Sequence, residues 1–435
     1  MADASSAEGT YLNTSLRDRT IRKLNLRIVL FCFICFIVNY LDRVNIGFAA
    51  LHMNDDIGLT PYMFGLGAGI FFIGYLAFEI PSNMILHKVG PRIWIARIMV
   101  TWGLVSCAMA FVQGPTSFYI LRFLLGVAEA GFAPGVLLYL TYWFPAKERG
   151  RATALFMTAT VLSIVVGAPI SGWLIDAGEG LFGLHGWQAM FILEGLPAAL
   201  LGIITFFYLV DSPAKDTRWL APDERAWLLG QLAQDQKNIK ADARHSLREI
   251  FSDVRVWLLT LVYMFNGIAV YGVIMWLPQI VKSVGLSTVQ AGFVSAIPFV
   301  FATAGLVVIS RSSDRTGERK VHTAISGLFG GLFLAASALV PNPYVGLVLL
   351  CFCAFFLWSY LGVFWTLPTQ FLTGAAAAGG LAAINGFAQI GGFAGPYIVG
   401  WVKTATNSFS LALLTLAVFP IIAFFLCMSL KANRD

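Results

Sequence analysis

Charge is what this sequence has least of. Of its 435 residues only 12% are Asp, Glu, Lys or Arg, while 58% are hydrophobic. A soluble domain carries about 25% charged residues, and a soluble core of this size would need far more polar surface. With mean hydropathy at +0.76, most of the chain must have a non-aqueous surrounding. Cysteine is scarce as well. Cys32, Cys35, Cys107, Cys351, Cys353 and Cys427 all lie inside apolar runs, so they are expected to be small buried hydrophobes, not disulfide staples. Cys32 and Cys35 form C-x-x-C, but in an apolar helix that spacing merely sets two thiols on one face. The histidines (His52, His87, His185, His245, His322) show no metal-ligand spacing. No nucleophile elbow, H-E-x-x-H or Walker sequence occurs, which argues against an enzyme, against a bound metal or cofactor, and against ATP-driven transport by this chain alone. The formal net charge of +6 sits at the ends of apolar runs and not along a polar face, so nucleic acid is not an expected partner. Residues 1–20 hold no apolar core of a signal peptide, so the first apolar run is expected to be retained.

What is present is a series of long apolar runs. A spanning helix needs about 20 such residues. The runs predict twelve spans: 28–50, 62–85, 94–112, 116–141, 152–175, 188–210, 256–280, 288–310, 322–340, 343–367, 379–402 and 408–429. The expected class is an all-α membrane protein in two six-helix pseudo-repeats. Its parts would be a tail over 1–27, a bundle over 28–210, a polar linker over 211–255, a second bundle over 256–430 and a tail over 431–435. Within the linker, Pro222 followed by Asp223 and Glu224 predicts a short helix over Ala221–Gln236.

The loop charges agree with an even span count. Arg17, Arg19, Arg22, Lys23 and Arg27 precede the first span. Lys88 and Arg92 follow the second, Lys147, Arg149 and Arg151 the fourth, and Arg311, Arg315, Arg319 and Lys320 the eighth, with Lys431 and Arg434 at the end. Alternating helices put all of these on one side, expected to be the cytoplasmic one, with both termini there.

The two halves repeat weakly. Gly167-Ala-Pro169-Ile-Ser-Gly172-Trp173 in span 5 matches Gly395-Pro396-Tyr-Ile-Val-Gly400-Trp401 in span 11. Trp143-Phe-Pro145 matches Trp365-Thr-Leu-Pro368, and Val89-Gly90-Pro-Arg92 matches Thr316-Gly317-Glu-Arg319. Counterparts six spans apart imply parallel repeats about an axis normal to the membrane. The glycines of Gly65-x-Gly67-x-Gly69 follow no strand and read as close helix packing.

Charges inside apolar spans mark the chemistry, because each costs about 2.5–3.5 kcal/mol at a helix centre. Span 1 holds Asn39, Tyr40, Asp42, Arg43 and Asn45; span 4 holds Arg122 and Glu129. Asp42 and Arg43 are adjacent and point about 100° apart. Arg122 and Glu129 are two turns apart and share a side. These four are expected to meet around a polar cavity, which makes spans 1 and 4 neighbours. Two arginines suit a carboxylate substrate, which a guanidinium binds bidentately. Two carboxylates suit proton coupling, because an anion that takes over the arginine frees a carboxylate to accept a proton. Structural ion pairs holding the helices together would explain the same residues. The second half has almost no charge in its spans. Asn266, Tyr271, Gln279, Tyr360, Trp365, Thr366, Asn385 and Gln389 are expected to supply hydrogen bonds and walls. Glu79 is expected to have a structural or gating role, and Glu194 an interfacial one.

Several motifs resemble the major facilitator superfamily. Ser313-Asp314-Arg315-Thr316-Gly317-Glu-Arg319-Lys320 is similar to its signature after span 8, and His87-Lys88-Val89-Gly90-Pro91-Arg92 is a counterpart that lacks the acidic residue. Asn39-Tyr-Leu-Asp42-Arg43-Val-Asn45-Ile-Gly47-Phe-Ala49, Arg122-Phe-Leu-Leu-Gly126-Val-Ala-Glu129-Ala-Gly131-Phe and Trp276-Leu-Pro278-Gln279-Ile280 resemble the anion:cation symporter family. That family includes bacterial sugar-acid, tartrate, phthalate and hydroxyphenylacetate permeases. The resemblance implies a proton-coupled importer of organic anions that works by alternating access in the bacterial inner membrane. It implies proton coupling at Asp42 and Glu129. Substrate contact falls to Arg43, Tyr40, Tyr75 and Asn385, with Arg122 as partner of the span 4 glutamate. Glu79, Asp314, Arg315 and Arg319 would gate or support. The expected partners are a small organic carboxylate, protons and lipid, with the chain acting as a monomer. An exchanger or exporter of the same fold is the alternative. One departure is that Thr369–Gly380 lacks the basic residues that relatives often carry there.

Overall fold

A computed structural model describes residues 15–216, 218–241, 252–372 and 374–430. His245, Lys431, Arg434 and Thr373, with most of the two tails and part of the linker, lie outside the described residues.

Among the described residues, eleven helices are long and apolar enough to cross a membrane. They are span 1 (Ser15–Asp56), span 2 (Pro61–Val89), span 3 (Pro91–Phe111), span 4 (Pro115–Trp143), span 5 (Ala146–Gly178), span 6 (Gly186–Tyr208), span 7 (Val254–Lys282), span 8 (Thr288–Thr316), span 9 (Arg319–Leu339), span 10 (Pro343–Gln370) and span 12 (Phe409–Ser429). The helix Gly374–Thr406 is span 11; Lys403 is its one charged residue. Most of these helices extend beyond the apolar runs that predict them, because polar first and last turns stay helical in the interface. Pro61, Pro91, Pro115 and Pro343 each open a helix, where the missing N–H costs nothing. The linker helix runs Pro222–Ala241 with Asp223 and Glu224 in its first turn, close to the predicted start.

One span is interrupted where it carries charge, and another is only locally irregular there. Span 1 is helical over Leu30–Val44 and Ile46–Asp56, and Asn45 between them keeps helical angles (φ −58°, ψ −26°) and donates to the Leu41 carbonyl at 2.9 Å. Span 4 runs Pro115–Glu129, breaks at Ala130 and Gly131, and resumes at Phe132. Gly131 has φ +87°, and a Cβ there would collide with the Ser82 hydroxyl, so only glycine allows this break against span 2. Broken helices free backbone groups and re-aim side chains inside a bundle.

The repeated glycine motifs lie where the halves meet. Gly172 of span 5 packs on Thr288 and Gly292 of span 8, and Gly400 of span 11 packs on Pro61 and Gly65 of span 2. The two contacts are counterparts, and both lie at the end of the bundle away from the termini. Trp173 and Trp401, one residue beyond each glycine, are exposed on the outside. Further along the same two spans, Leu162, Val165, Val300, Thr303 and Val307 line an open apolar groove.

Candidate functional site

Arg43 and Glu129 form a buried ion pair between spans 1 and 4. Arg43 Nε donates to Glu129 Oε1 at 3.0 Å, and Arg43 Nη2 donates to the same oxygen. Glu129 Oε2 is buried without a partner. The Arg43 guanidinium also lies 5.6 Å from the Tyr40 ring, 5.2 Å from Phe71 and 5.1 Å from Tyr75. Three aromatic faces around one guanidinium stabilise the cation in the absence of water. Opposite them, span 7 brings Tyr271 against Phe72 at 4.5 Å, and Tyr263 packs on Tyr360 and Trp365. Span 7 thus faces the cluster with phenol rings and no charge.

Asn39 lies one turn before Arg43, fully buried, and both of its amide atoms lack a protein partner. Arg122 is fully buried too, with its Nη1 unpartnered. Its Nε and Nη2 donate to the carbonyls of Gly67 and Ala68 at 3.4 and 3.3 Å, and it lies 5.0 Å from the Phe71 ring. The unmet polar atoms of Asn39 and Glu129, which lie beside each other, can be met by water or a polar ligand.

The expected four-way convergence is therefore only half of what the structure holds. Arg43, and not Arg122, bonds Glu129. Arg122 lies two turns away, about 10 Å of rise, and its guanidinium is drawn to span 2 carbonyls. Asp42 faces away from the pair, contrary to the expected convergence. It accepts from Trp102 Nε1 at 2.9 Å, Ser106 Oγ at 2.8 Å and Asn45 Nδ2 at 3.4 Å. The cluster is also enclosed: Arg43 is 7% exposed, and Asp42, Arg122 and Glu129 are 0% exposed. An open aqueous chamber around all four is not observed.

Glu194 corrects the sequence reading. It is buried, accepts from Ser171 Oγ at 2.7 Å and from Asn45 Nδ2 at 2.8 Å, and does not lie at an interface. The helix starts at Gly186, so Glu194 is about two turns inside it. The sequence signal for it is the same as for Asp42, an acid inside an apolar run.

Asn385 reaches the first half: its Nδ2 donates to Glu79 Oε1 at 3.0 Å. Asn266, by contrast, bonds its own helix at Val262 and faces Gly327 in span 9. At the terminus-bearing end, Arg319 Nη1 donates to Asp314 Oδ1 at 2.5 Å and to Ser313 Oγ at 3.1 Å, while Arg315 is exposed. The counterpart loop after span 2 has no acid of its own. Asp211, beyond span 6, fills that place: its Oδ1 accepts from Arg92 N at 3.0 Å and lies 2.7 Å from where a Gly90 Cβ would be. That acid is 119 residues away in sequence, so local spacing could not reveal it.

Comparison with known proteins agrees with this architecture. The family model described as Major Facilitator Superfamily matches residues 32–396. A putative tartrate transporter of Agrobacterium vitis is 48% identical over 399 residues, 92% of each chain. A quinolone resistance transporter of Acinetobacter baumannii is 41% identical, over 95% of each chain. Among solved structures, the xylose transporter XylE from E. coli, in a partially occluded inward-open conformation, aligns with TM-score 0.74 at 16% identity over 95% of this chain and 99% of its own. That likeness concerns the fold alone. A buried ion pair between spans 1 and 4, halves that meet through matched glycines and a family match across most of the chain lead to one classification: this chain is a multi-span membrane transporter, not an enzyme, and belongs to the Major Facilitator Superfamily.

Proposed function

We propose that the chain is a secondary transporter that imports a small organic carboxylate together with protons, by alternating access, across the bacterial inner membrane with both termini cytoplasmic. The observation that carries this is the Arg43–Glu129 pair, in which two guanidinium donors converge on one carboxylate oxygen. A substrate carboxylate offers the same chemistry as Glu129 and competes for Arg43. Once displaced, Glu129 is a buried carboxylate without its cation, and taking up a proton is the low-cost outcome. Substrate and proton are then loaded together. Loss of both at the other face restores the pair. Asp42 is the second proton site, Tyr40, Tyr75 and Asn385 contact substrate, and Arg122 adds positive potential.

The reading is supported by the relative named as a tartrate transporter, since tartrate is a hydroxylated dicarboxylate. Basic residues at the loops flanking spans 2, 4 and 8 support the orientation. The test uses L-tartrate, D-gluconate and 4-hydroxyphenylacetate with the purified chain in proteoliposomes. Uptake should follow an inward proton gradient and collapse with an uncoupler, while counterflow persists. Gradient-independent uptake would instead establish an exchanger. The relative named for quinolone resistance favours a second reading, export of an aromatic acid, and norfloxacin efflux measured in the same vesicles decides it.

A further inference from the structure

A second carboxylate cluster lies behind span 1, on the side away from Arg43. Asp42 and Glu194 are joined by one amide group: Asn45 Nδ2 donates to Glu194 Oε2 at 2.8 Å and to Asp42 Oδ1 at 3.4 Å. The remaining donors are neutral: Trp102 Nε1 and Ser106 Oγ to Asp42, and Ser171 Oγ to Glu194. Asp42, Asn45, Trp102 and Ser171 are 0% exposed, Ser106 is 1% and Glu194 is 5%. Neither acid has an ion-pair partner among the described residues, since the adjacent Arg43 is committed to Glu129. The amide oxygen of Asn45 is itself buried with no partner.

We propose that Asp42 and Glu194 share a single proton across Asn45, forming a proton-binding site distinct from the Arg43–Glu129 pair. Two buried carboxylates without a cation cost several kcal/mol per ion, and one shared proton removes half of that charge. A carboxyl in its acid form still accepts at its carbonyl oxygen, so the Asn45 amide keeps both of its bonds when one acid is protonated. A metal cation fits less well, because Asn45 turns N–H groups, not oxygen, toward both acids.

The other titratable groups facing the pair are few. Cys107 of span 3 lies beside Gly195 and Asp42, and Glu129 of span 4 lies beyond span 1. Span 5 contributes only Ser171. One turn beyond Ser171, Ile175 floors a cavity of about 410 Å³ at the end away from the termini. His52, Asp56, Asp176, Glu179 and His185 line it, so the titratable groups nearest in sequence to Ser171 on span 5 belong to that cavity. The proton binds one carboxylate oxygen and leaves as a proton, with no other bond changed. The proposal rests on the transport reading only for when the proton moves; its occupancy is read without substrate.

The test is an infrared pH titration of the purified full chain in nanodiscs, following the carboxylic-acid C=O band. Glu194→Gln should lower the proton affinity of the remaining acid at least about tenfold, because a like charge is removed. Ser171→Ala, a milder change, should raise the affinity, since Glu194 loses a donor to its charged form. A titration unaltered by both variants would overturn the proposal. So would displacement of the acid band by sodium at fixed pH, which would show a cation site. These outcomes are independent of tartrate uptake, so failure of the transport reading leaves them interpretable.

Discussion

Asn385 and Glu79 are hydrogen-bonded at 3.0 Å although 306 residues separate them, and the bond joins the two halves of the bundle. It lies on the terminus side of Arg43, because span 2 descends from Pro61 through Tyr75 to Glu79. Asn385→Ala would leave the nearly buried Glu79 without that donor, at a cost of about 1–3 kcal/mol. The expected result is a lower unfolding temperature in detergent. A double variant with Glu79→Gln should be less than additive, and additivity would show that the two do not interact in solution.

Arg43→Ala should abolish carboxylate binding. Arg43→Lys should weaken it by about tenfold or more, because an ammonium cannot give two parallel bonds. Isothermal titration with L-tartrate measures both. Since removing one member of a buried pair costs about 3–5 kcal/mol, folding should be checked in parallel by size exclusion. Unchanged affinity in a folded variant rejects the role.

Glu129→Gln keeps the shape of the pair but removes the proton acceptor. Counterflow should survive and gradient-driven accumulation should be lost. Intact pH-driven accumulation in this variant would place coupling elsewhere.

Gly65 packs directly under the Pro396 carbonyl, and a side chain there would collide with it. Gly65→Leu should therefore prevent closure at the end away from the termini. Spin labels at Asp55 and Thr404 would then show a longer distance than in the parent chain. An unaltered distance would mean that this packing does not hold the end shut.

The linker gives a pH-dependent prediction. Arg19 Nε and Lys23 Nζ each lie 2.8 Å from a Glu224 carboxylate oxygen, and Ala221 N donates to it as well. Burial pushes the Glu224 carboxyl up, but the Lys23 and Ala221 hydrogen bonds and the two cations outweigh it and hold the group below its ordinary value of 4.5. A lowered folded value means the contribution is fully present above about pH 4.5 and fades as the pH falls through that lower value. Glu224→Gln should remove this acid-dependent loss from a thermal unfolding series. An identical pH profile in the variant would count against it.

The sequence made the spans legible because lipid demands long apolar runs, and it showed the charged residues because each is costly there. Helix geometry showed that Asp42 and Arg43 point about 100° apart, but not that Asp42 would leave the cluster for Trp102 and Ser106. What it could not show was which partner each charge takes. Arg122 shares a face with Glu129, yet two turns of rise and the carbonyls of Gly67 and Ala68 decide its position. The break at Gly131, just after Glu129, leaves only a weak local signal. The bridge from Asn45 to Glu194 depends on how span 6 packs behind span 1.

Asp211 completes a loop that belongs to another part of the chain. Anyone dividing this protein into two co-expressed pieces must therefore cut downstream of it. A break placed at the end of span 6 would separate the carboxylate from Gly90 and Arg92, and the first fragment would be made without the acid that its own loop lacks.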